Sequence, residues 1–369
     1  MLQRLFRAPS AFVQSGTYSP SVDGLRFVAF LLVFFHHAPI LSLGLMPTVK
    51  AYGWAGVDLF FVISAYLLFS NLLRERARDG RNDLRKYFLR RVLRIYPLML
   101  LYIVAMLVIF GPALPTWPRR LAGVLLFVDN INVWIDGGFN SAIRASAHLW
   151  TLSFEFQVYA ALPVAVSLYV LFGARTFAAA LVVITLLAAI ARWWLFQQGV
   201  THPQIYATPL FRPEAVFVGI ALAIYRPAWH WSLPLALAAV LAAIIVSFPA
   251  PWNDQWSALF QYPLIALCAG SLLDVAQRSP AVSRVLAFPP IVSLGVVSYG
   301  LYVFHYFTRY MMRMVDARIG LPETTTLSGW LVFAAGIFLP AVVLALLSYR
   351  FIERPFLGLK LSHYRRVET

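Results

Sequence analysis

Residues 23–37 read DGLRFVAFLLVFFHH, an apolar run with ionisable groups at both ends. Every residue between Arg26 and the two histidines is apolar, which predicts a helix inside a membrane. Arg26 and His37 are eleven residues apart, roughly 1100° at about 100° per residue, so they share one face about 16 Å apart. His36 falls about 80° off that face. Ionisable groups are costly in lipid and are therefore functional candidates, and we take His37 as the reactive one.

Two other interpretations fit this stretch when it is taken alone. Arg26 could snorkel to lipid phosphates while the histidines lie in the membrane interface. Alternatively, His37 could relay protons in a transporter, where buried Arg, His and Glu side chains are common. The rest of the chain is needed to choose among them.

The composition predicts a polytopic helical membrane protein. The 369 residues are 61% hydrophobic and 12% charged, with a mean hydropathy of +0.74, and soluble folds are less apolar than this. The net charge of +15 lies in short loops, so membrane topology explains it better than nucleic-acid binding. A single cysteine, Cys268, excludes intramolecular disulfides and argues against thiol–disulfide chemistry. The first 22 residues lack a cleavable signal pattern, so we expect the first helix to direct insertion.

The expected fold class is all-α, a polytopic membrane helix bundle of about ten transmembrane helices. The predicted spans are 24–43, 54–73, 92–111, 148–172, 176–197, 209–226, 231–249, 257–273, 290–312 and 326–350. Polar residues interrupt 119–135, so residues 119–147 are predicted to form a re-entrant or peripheral helix. We expect one transmembrane domain at 23–356, between a cytoplasmic segment at 1–22 and a basic cytoplasmic tail at 357–369.

Lysine and arginine predict the orientation, because basic loops remain in the cytoplasm. The stretch 74–94 holds nine of them: Arg74, Arg76, Arg78, Arg81, Arg85, Lys86, Arg90, Arg91 and Arg94. The C-terminal tail is basic too. An even number of crossings places both regions on one side. We therefore expect a multi-pass protein of the bacterial cytoplasmic (inner) membrane with both termini in the cytoplasm.

Four further stretches carry polar residues at the ends of spans or inside them. They are 56–65 with Asp58 and Ser64, 87–97 with Arg90, Arg91 and Arg94, 148–159 with His148, Trp150, Ser153 and Glu155, and 298–305 with Tyr302 and His305. Asp58 could simply satisfy a helix dipole. The arginines could serve topology alone, although guanidinium geometry also suits phosphates. The pair at 302 and 305 could belong to an interfacial aromatic belt.

His148 and Glu155 are seven residues apart, about 20° from eclipsed on a helix, and are predicted to share one face. A carboxylate so deep in an apolar helix needs a partner. Arg26, a histidine or a water-filled cavity could supply it.

These stretches resemble, in order and spacing, the motifs of the acyltransferase-3 family, membrane enzymes that O-acylate glycans and other acceptors. Asp23 to Arg26 followed by His37 resembles the first-helix motif, in which the arginine and histidine are the functional pair. Arg91 and Arg94 resemble an Arg-x-x-Arg element linked to the acyl-coenzyme A donor. The resemblance runs from about residue 22 to the Ile-Glu-x-Pro-like ending at 352–356. Three positions depart from the family's usual Gly, Glu and Ser: Ala65, Phe156 and Gly300.

The resemblance implies an integral membrane O-acyltransferase that moves an acyl group, expected to be acetyl, from acyl-CoA to a glycan hydroxyl. His37 would be the general base or a transient acyl carrier, and Arg26 would orient or charge-balance the donor. Glu155 and His148 would hold His37 or the acceptor. Acetyl-CoA or another acyl-CoA is the expected co-substrate, with no permanently bound cofactor and no metal. The expected partners are this donor, a hydroxyl acceptor and membrane lipids, and not nucleic acid.

Other functions remain open at this point. A proton-coupled transporter should show inverted repeats or paired broken helices, and the sequence shows neither. A non-catalytic scaffold does not need polar residues aligned in several spans. The acceptor could be a polysaccharide, a lipid-linked oligosaccharide, a lipopolysaccharide or a small secondary metabolite, and the oligomeric state stays unknown. No hydrolase-like domain follows residue 356 of this sequence, so we expect the domain to complete transfer itself or to pass the acyl group to a separate protein.

Overall fold

The computed structural model describes residues 19–139, 142–225 and 229–365, with side chains to residue 359. Most of the predicted segment 1–22 and the last four residues of the predicted tail lie outside the described residues. Across these ranges the chain forms helices and no strand, apart from an isolated bridge between Pro112 and Ile143. The all-helical prediction is confirmed.

The first half of the chain contains seven of the described α-helices. They are α1 (Pro20–His37), α2 (Met46–Tyr52), α3 (Ala55–Asp79), α4 (Leu84–Phe110), α5 (Trp117–Leu125), α6 (Asp129–Asp136) and α7 (Trp150–Gln197). A 3₁₀ turn, Ala147–Leu149, leads into α7.

The second half begins with α8 (His202–Tyr206), α9 (Glu214–Ile224), α10 (Ser232–Val246), α11 (Ala258–Arg278) and α12 (Pro280–Leu286). It continues with α13 (Pro289–Val296), α14 (Ser298–Ile319), α15 (Leu327–Ser348) and α16 (Arg354–Arg365). A π-helical turn, Tyr349–Glu353, connects the last two.

Within the described residues, five helical runs are long and apolar enough to cross a membrane, or six if a bent pair counts as one span. The runs are Ala55–Asp79, Leu84–Phe110, Ala147–Gln197, Gln255–Arg278 and Leu327–Leu359. Two further apolar helices, α9 and α10, are shorter. The structure therefore supports a membrane protein, while the count of ten spans is not confirmed.

Two breaks show how the observed helices differ from the apolar segments in the sequence. Gly173 has a non-helical backbone (φ 77°) and divides α7 into two stretches, which agrees with separate predicted spans at 148–172 and 176–197. The single span predicted at 290–312 forms two helices, α13 and α14, which are bent by 72° at Val297, and it stays a prediction that this pair crosses the membrane as one broken span. Ser298 follows the bend directly, but the segment as a whole is apolar, so hydropathy alone does not reveal the bend.

Residues 119–147 do not form a spanning helix. They contain the C-terminal part of α5 and all of α6, helices of 9 and 8 residues, and nine residues of α-helix reach only about 14 Å. A buried ion pair between Arg120 and Asp129 (2.9 Å) joins the two helices. The backbone N–H of Asp129 donates to Ser153 Oγ of α7 at 3.0 Å. This element packs on the beginning of α7, in line with the predicted re-entrant or peripheral role.

Helix α1 is held by close backbone contacts at its beginning. A Cβ atom at Gly24 would lie 2.1 Å from the carbonyl oxygen of Leu286, and one at Gly295 would lie 1.9 Å from that of Asp23. Only glycine permits these approaches to α12 and α13. The contacts fix Asp23 and Gly24, and with them the position of the following turn.

Neighbouring contacts give the relative directions of α1 and α3. The Cβ position of Gly53, just before α3, approaches Leu32 and His36, whereas that of Gly56 approaches Ala29 and Val33. Helix α3 therefore runs antiparallel to α1. It begins beside His37 and leads toward the basic stretch 74–94 at the opposite end of α1.

Candidate active site

Helix α14 lies along the polar face of α1. Arg26 Nε donates to Ser298 Oγ at 3.4 Å, and His37 Nδ1 lies 3.2 Å from Nε2 of His305. Ser298 and His305 are two helical turns apart, so α1 and α14 run in the same direction. Arg26 and His37 thus face the same neighbouring helix, as their spacing predicts.

The hydrogen bonds define the tautomers of His305 and His37. His305 Nδ1 lies 2.6 Å from the backbone carbonyl oxygen of Tyr302. A carbonyl only accepts, so Nδ1 of neutral His305 carries its proton and Nε2 is left as an acceptor. His37 Nδ1–H then donates to that Nε2, and His37 Nε2 keeps a free lone pair. This assignment follows from the hydrogen-bond network, and it gives His37 the form that a general base requires.

His148 supports His305 from the other side. Its Nε2–H donates to the carbonyl oxygen of Val303 at 3.1 Å, and its ring centroid lies 5.3 Å from that of His305. The ring stacks on Tyr306 at 4.8 Å. The hydroxyl of Tyr302 donates to the backbone carbonyl of His148 at 3.0 Å. Together these contacts tie the turn before α7 to α14.

His36 has a different set of contacts from its neighbour. Its Nδ1–H donates to the carbonyl oxygen of Lys50 at 2.8 Å. The Lys50 ammonium in return donates to the carbonyl oxygens of His36 and Ala38. His36 therefore fastens α2 to the end of α1.

A cavity of about 490 Å³ opens beside His37. Its lining includes one carboxylate and three basic side chains besides the imidazole: Asp316, Lys50, Arg309 and Arg313. His37 is half-buried, so it borders both this space and the packed interior. An acceptor in the cavity could therefore approach the imidazole.

A second polar cluster surrounds Arg26 at the other end of α1. The charges of Arg94, Asp23 and Glu155 act on Arg26. Glu155 Oε1 accepts hydrogen bonds from Ser64 Oγ (3.1 Å) and from the Tyr159 hydroxyl. These hydrogen bonds explain how a carboxylate is tolerated inside α7.

His148 and Glu155 belong to different clusters, although their spacing predicted one shared helix face. His148 lies in the 3₁₀ turn that precedes α7, where the rise and rotation per residue differ from those of an α-helix. It contacts Val303 and His305, whereas Glu155 contacts Ser64 and Tyr159.

Glu353, which the sequence alone did not predict as a site residue, joins the Arg26 cluster. The π-helical turn places its side chain inside, 1% exposed. Ser348 Oγ donates to Oε1 at 3.3 Å, and Oε2 has no hydrogen-bond partner among the described residues. The charges of Arg94 and Arg26 act on the carboxylate. The sequence feature that could have identified Glu353 is its position in the Ile-Glu-x-Pro-like ending.

The three arginines predicted to bind the donor have different environments. Arg91 lies between the rings of Tyr87 and Tyr159, at 5.7 and 5.6 Å from their centroids. Its buried Nε has no hydrogen-bond partner within the part of the chain that the structure describes. Arg94 faces the Arg26 cluster, as its interaction with Glu353 indicates. Arg90 is exposed. Two of the three therefore reach the interior.

Asp58, Trp150 and Ser153 lie outside both clusters. Asp58 forms a buried ion pair with Arg212 at 3.1 Å, and the guanidinium of Arg212 lies 3.8 Å from the Tyr206 ring centroid. Trp150 packs on the same Tyr206 ring at 5.1 Å, and Ser153 accepts the hydrogen bond from α6. These contacts join separate elements of the fold, and sequence spacing gave no indication of Arg212.

Each departure from the family pattern has a local packing partner. The methyl group of Ala65 lies 2.9 Å from a Cβ position at Gly219, so α9 supplies a glycine where α3 lacks one. Phe156 stacks on Phe127 with ring centroids 4.0 Å apart. A Cβ at Gly300 would lie 3.1 Å from α15. Across the described residues, no three His, Cys, Asp or Glu side chains are arranged to hold a metal ion.

Residues 19–350 match the family model described as an acyltransferase domain. The chain belongs to the acyltransferase-3 family. It is 26% identical over 361 residues to "O-acetyltransferase OatA" of Staphylococcus aureus (strain NCTC 8325 / PS 47), covering 92% of this chain and 57% of that protein. It is 29% identical over 369 residues to "Putative peptidoglycan O-acetyltransferase YrhL" of Bacillus subtilis (strain 168), covering 93% and 55%.

This acyltransferase-3 chain therefore spans little more than half the length of these curated relatives. No solved structure matches it significantly.

Proposed function

We propose that this acyltransferase-3 protein is a membrane O-acetyltransferase that moves an acetyl group from acetyl-CoA to a hydroxyl of a cell-envelope glycan. The observation that carries the proposal is the bonded chain from the Tyr302 carbonyl through His305 to His37, which leaves His37 Nε2 unprotonated beside the cavity. The names of the relatives, O-acetyltransferase and peptidoglycan O-acetyltransferase, support the acetyl group and the class of acceptor.

In the proposed reaction the acceptor hydroxyl gives its proton to His37 Nε2 and its oxygen attacks the thioester carbonyl. The carbon–sulfur bond breaks, and the thiolate of coenzyme A takes the proton back from the imidazolium. His305 fixes the ring of His37 and stabilises its positive charge while the proton is held. A transient acyl-histidine would use the same lone pair, so both routes need this tautomer.

The Arg26 cluster supports a donor site at the other end of α1. Arg91 and Arg94 reach the interior there, and guanidinium groups suit phosphate oxygens. The distance from Arg26 to His37 along the helix is about 16 Å. The extended pantetheine arm of coenzyme A would connect phosphates at the first cluster with a thioester near His37.

We further propose ten crossings of the bacterial inner membrane with both termini in the cytoplasm. The kink at Gly173, the short apolar helices α9 and α10, and the peripheral α5 and α6 are consistent with that count. The donor cluster would then face the cytoplasm, where acetyl-CoA is made, and the His37 cavity would face outward.

The experiment measures release of coenzyme A and acetylation of a glycan by detergent-purified His37→Ala and His36→Ala proteins. Removal of the base should lower the transfer rate about 10²- to 10⁴-fold. His36→Ala should retain most activity, because the ring of His36 bonds the backbone of α2 and packs on Trp252 and His37 but takes no part in the His37–His305 hydrogen bond. An inactive His36 variant beside an active His37 variant would contradict the assignment of His37 as the base. No thioester consumption by the native protein would exclude the function.

The same assay tests the donor site. Arg94→Ala should raise the KM for acetyl-CoA by about tenfold or more, the effect of a lost charge-assisted contact. The exposed Arg90→Ala variant is the matched control and should change it little. Equal donor KM values in both variants would leave these arginines with a topological role only.

A further inference from the structure

The cavity beside His37 is strongly basic. Lys50, Arg309 and Arg313 line it together with a single carboxylate, Asp316. That carboxylate already accepts the backbone N–H of Leu321 at 3.0 Å, so it helps to end α14. The remaining charge in the cavity is positive.

These three basic side chains form no ion pair with an acidic side chain within the residues that the structure describes. Lys50 and Arg309 are half-buried, and the guanidinium of Arg309 lies 5.4 Å over the Tyr306 ring. Burial, together with the charges of Arg309 and Arg313, lowers the pKa of Lys50. Like charges around one space are unfavourable, and a bound anion would offset that cost.

Membrane topology does not explain these cations. Because α3 runs antiparallel to α1, the basic stretch 74–94 lies at the Arg26 end, away from the cavity. Basic residues are retained on the cytoplasmic side by the positive-inside rule, so a second cationic group at the opposite end needs another reason. These cations line the same cavity as His37, and this shared position supplies such a reason.

We infer that this cavity binds the acceptor through an oxyanion, a carboxylate or phosphate held by Arg309, Arg313 and Lys50, while a neighbouring hydroxyl of the same acceptor reaches His37 Nε2. The substrate class is then an acidic sugar unit and not a neutral one. The inference rests on the proposed function, and it assigns Arg309 and Arg313 as specificity-determining residues. Guanidinium forks suit either oxyanion because both present paired oxygens.

The first test is equilibrium binding to purified His37→Ala protein, which needs no turnover. The probes are a glucuronic-acid disaccharide, the same disaccharide with the carboxylate converted to a carboxamide, and a hexose phosphate. The uronate or the phosphate should bind at least about tenfold more tightly than the carboxamide, the loss expected for one charge-assisted contact. The two anionic probes distinguish a carboxylate site from a phosphate site.

The second test compares Arg313→Gln with Arg318→Gln, an exposed arginine on the same helix that does not line the cavity. Arg313→Gln should raise the KM for the uronate acceptor about tenfold with little change in kcat or in the KM for acetyl-CoA. Arg318→Gln should change none of these values, and Arg313→Gln should not affect the carboxamide.

Three results would overturn the inference: equal binding of uronate and carboxamide, an equal effect of Arg313→Gln on both, or binding of phosphatidylglycerol micelles with neither anionic sugar. The last would assign the cations to lipid headgroups. Transfer to neutral sugars as efficient as transfer to acidic ones would leave the proposed acetyltransferase intact and remove only the acidic acceptor. Tight uronate binding without any acetyl transfer would support the anion-binding cavity and exclude the proposed acetyltransferase.

Discussion

His36 and His37 are adjacent in the sequence, yet their hydrogen bonds give them different chemistry. His36 uses its Nδ1–H to hold the backbone of Lys50. His37 uses the equivalent N–H to bond a second imidazole. An imidazole partner can itself take up a proton when His37 is protonated, whereas a backbone carbonyl can only accept the hydrogen bond. The difference makes His305 a positioning residue for the base.

We expect His305→Ala to lower acetyl transfer about 10- to 100-fold, the usual effect of losing an orienting partner. His305→Gln should recover part of the rate, because its amide oxygen can still accept from His37 Nδ1–H. The measurement is the rate as a function of pH for both variants at matched thermal stability. The alanine variant should show an altered pH profile, since the charge on His37 loses its partner. Equal profiles for the native protein and both variants would mean that His305 only fills space.

The partners of these residues explain what the sequence could predict. The shared face of Arg26 and His37 follows from helical phase, which is a local property. The contact from His37 to His305 spans 268 positions, and that from Asp58 to Arg212 spans 154. Such pairs depend on which helices pack together, and periodicity within one helix carries no information about that. Glu353 was missed for the same reason.

At the scale of elements, the site depends on how closely α1 approaches α12 and α13. The Gly24 backbone lies against the Leu286 carbonyl with no room for a side chain. Arg26 is two residues further along α1, so any shift here also moves the Arg26 cluster. In the sequence, Gly24 belongs to the motif from Asp23 to Arg26. Only the packing shows that the missing side chain permits the close approach of α1 to α12.

Gly24→Ala should therefore destabilise the protein by at least about 1–3 kcal/mol, the usual cost of overpacking. Gly358→Ala is the matched control, a helical glycine in α16 whose Cβ position meets nothing within 4 Å. That change should be neutral or slightly stabilising, because alanine favours helices. Thermal unfolding of both purified proteins gives the comparison. Equal melting temperatures would show that α1 can move away from α12 at little cost.

Bends in the helices are harder to predict than the helices themselves. The break in α7 falls at Gly173, and glycine readily adopts the positive φ that it has there. The 72° bend at Val297 occurs at a β-branched residue that Ser298 follows directly, with no glycine or proline at the bend itself. Hydropathy identifies segments that can be buried in lipid, but the direction of each segment comes from its tertiary contacts. The span count remains a prediction for this reason.

On the scale of the whole molecule, the directions of three helices separate the two polar clusters. Helices α1 and α14 run the same way, as the Arg26–Ser298 and His37–His305 contacts require. Helix α3 runs the other way and ends in the basic stretch. The Arg26 cluster and this basic stretch therefore share one end of the bundle, and the His37 cavity opens toward the other. A donor and an acceptor from opposite sides of a membrane could meet in such an arrangement.

The topology prediction follows from this arrangement and from the positive-inside rule. In a Cys268→Ala background, Thr324→Cys, which lines the cavity, should react with an impermeant maleimide in intact cells. Arg81→Cys, in the exposed basic loop, should react only after the membrane is permeabilised. Labelling at Thr324 should also slow acceptor use in purified protein without changing the KM for acetyl-CoA, because the reagent would occupy the acceptor cavity. Labelling of Arg81→Cys in intact cells with protection of Thr324→Cys would reverse the orientation and place the base on the donor side.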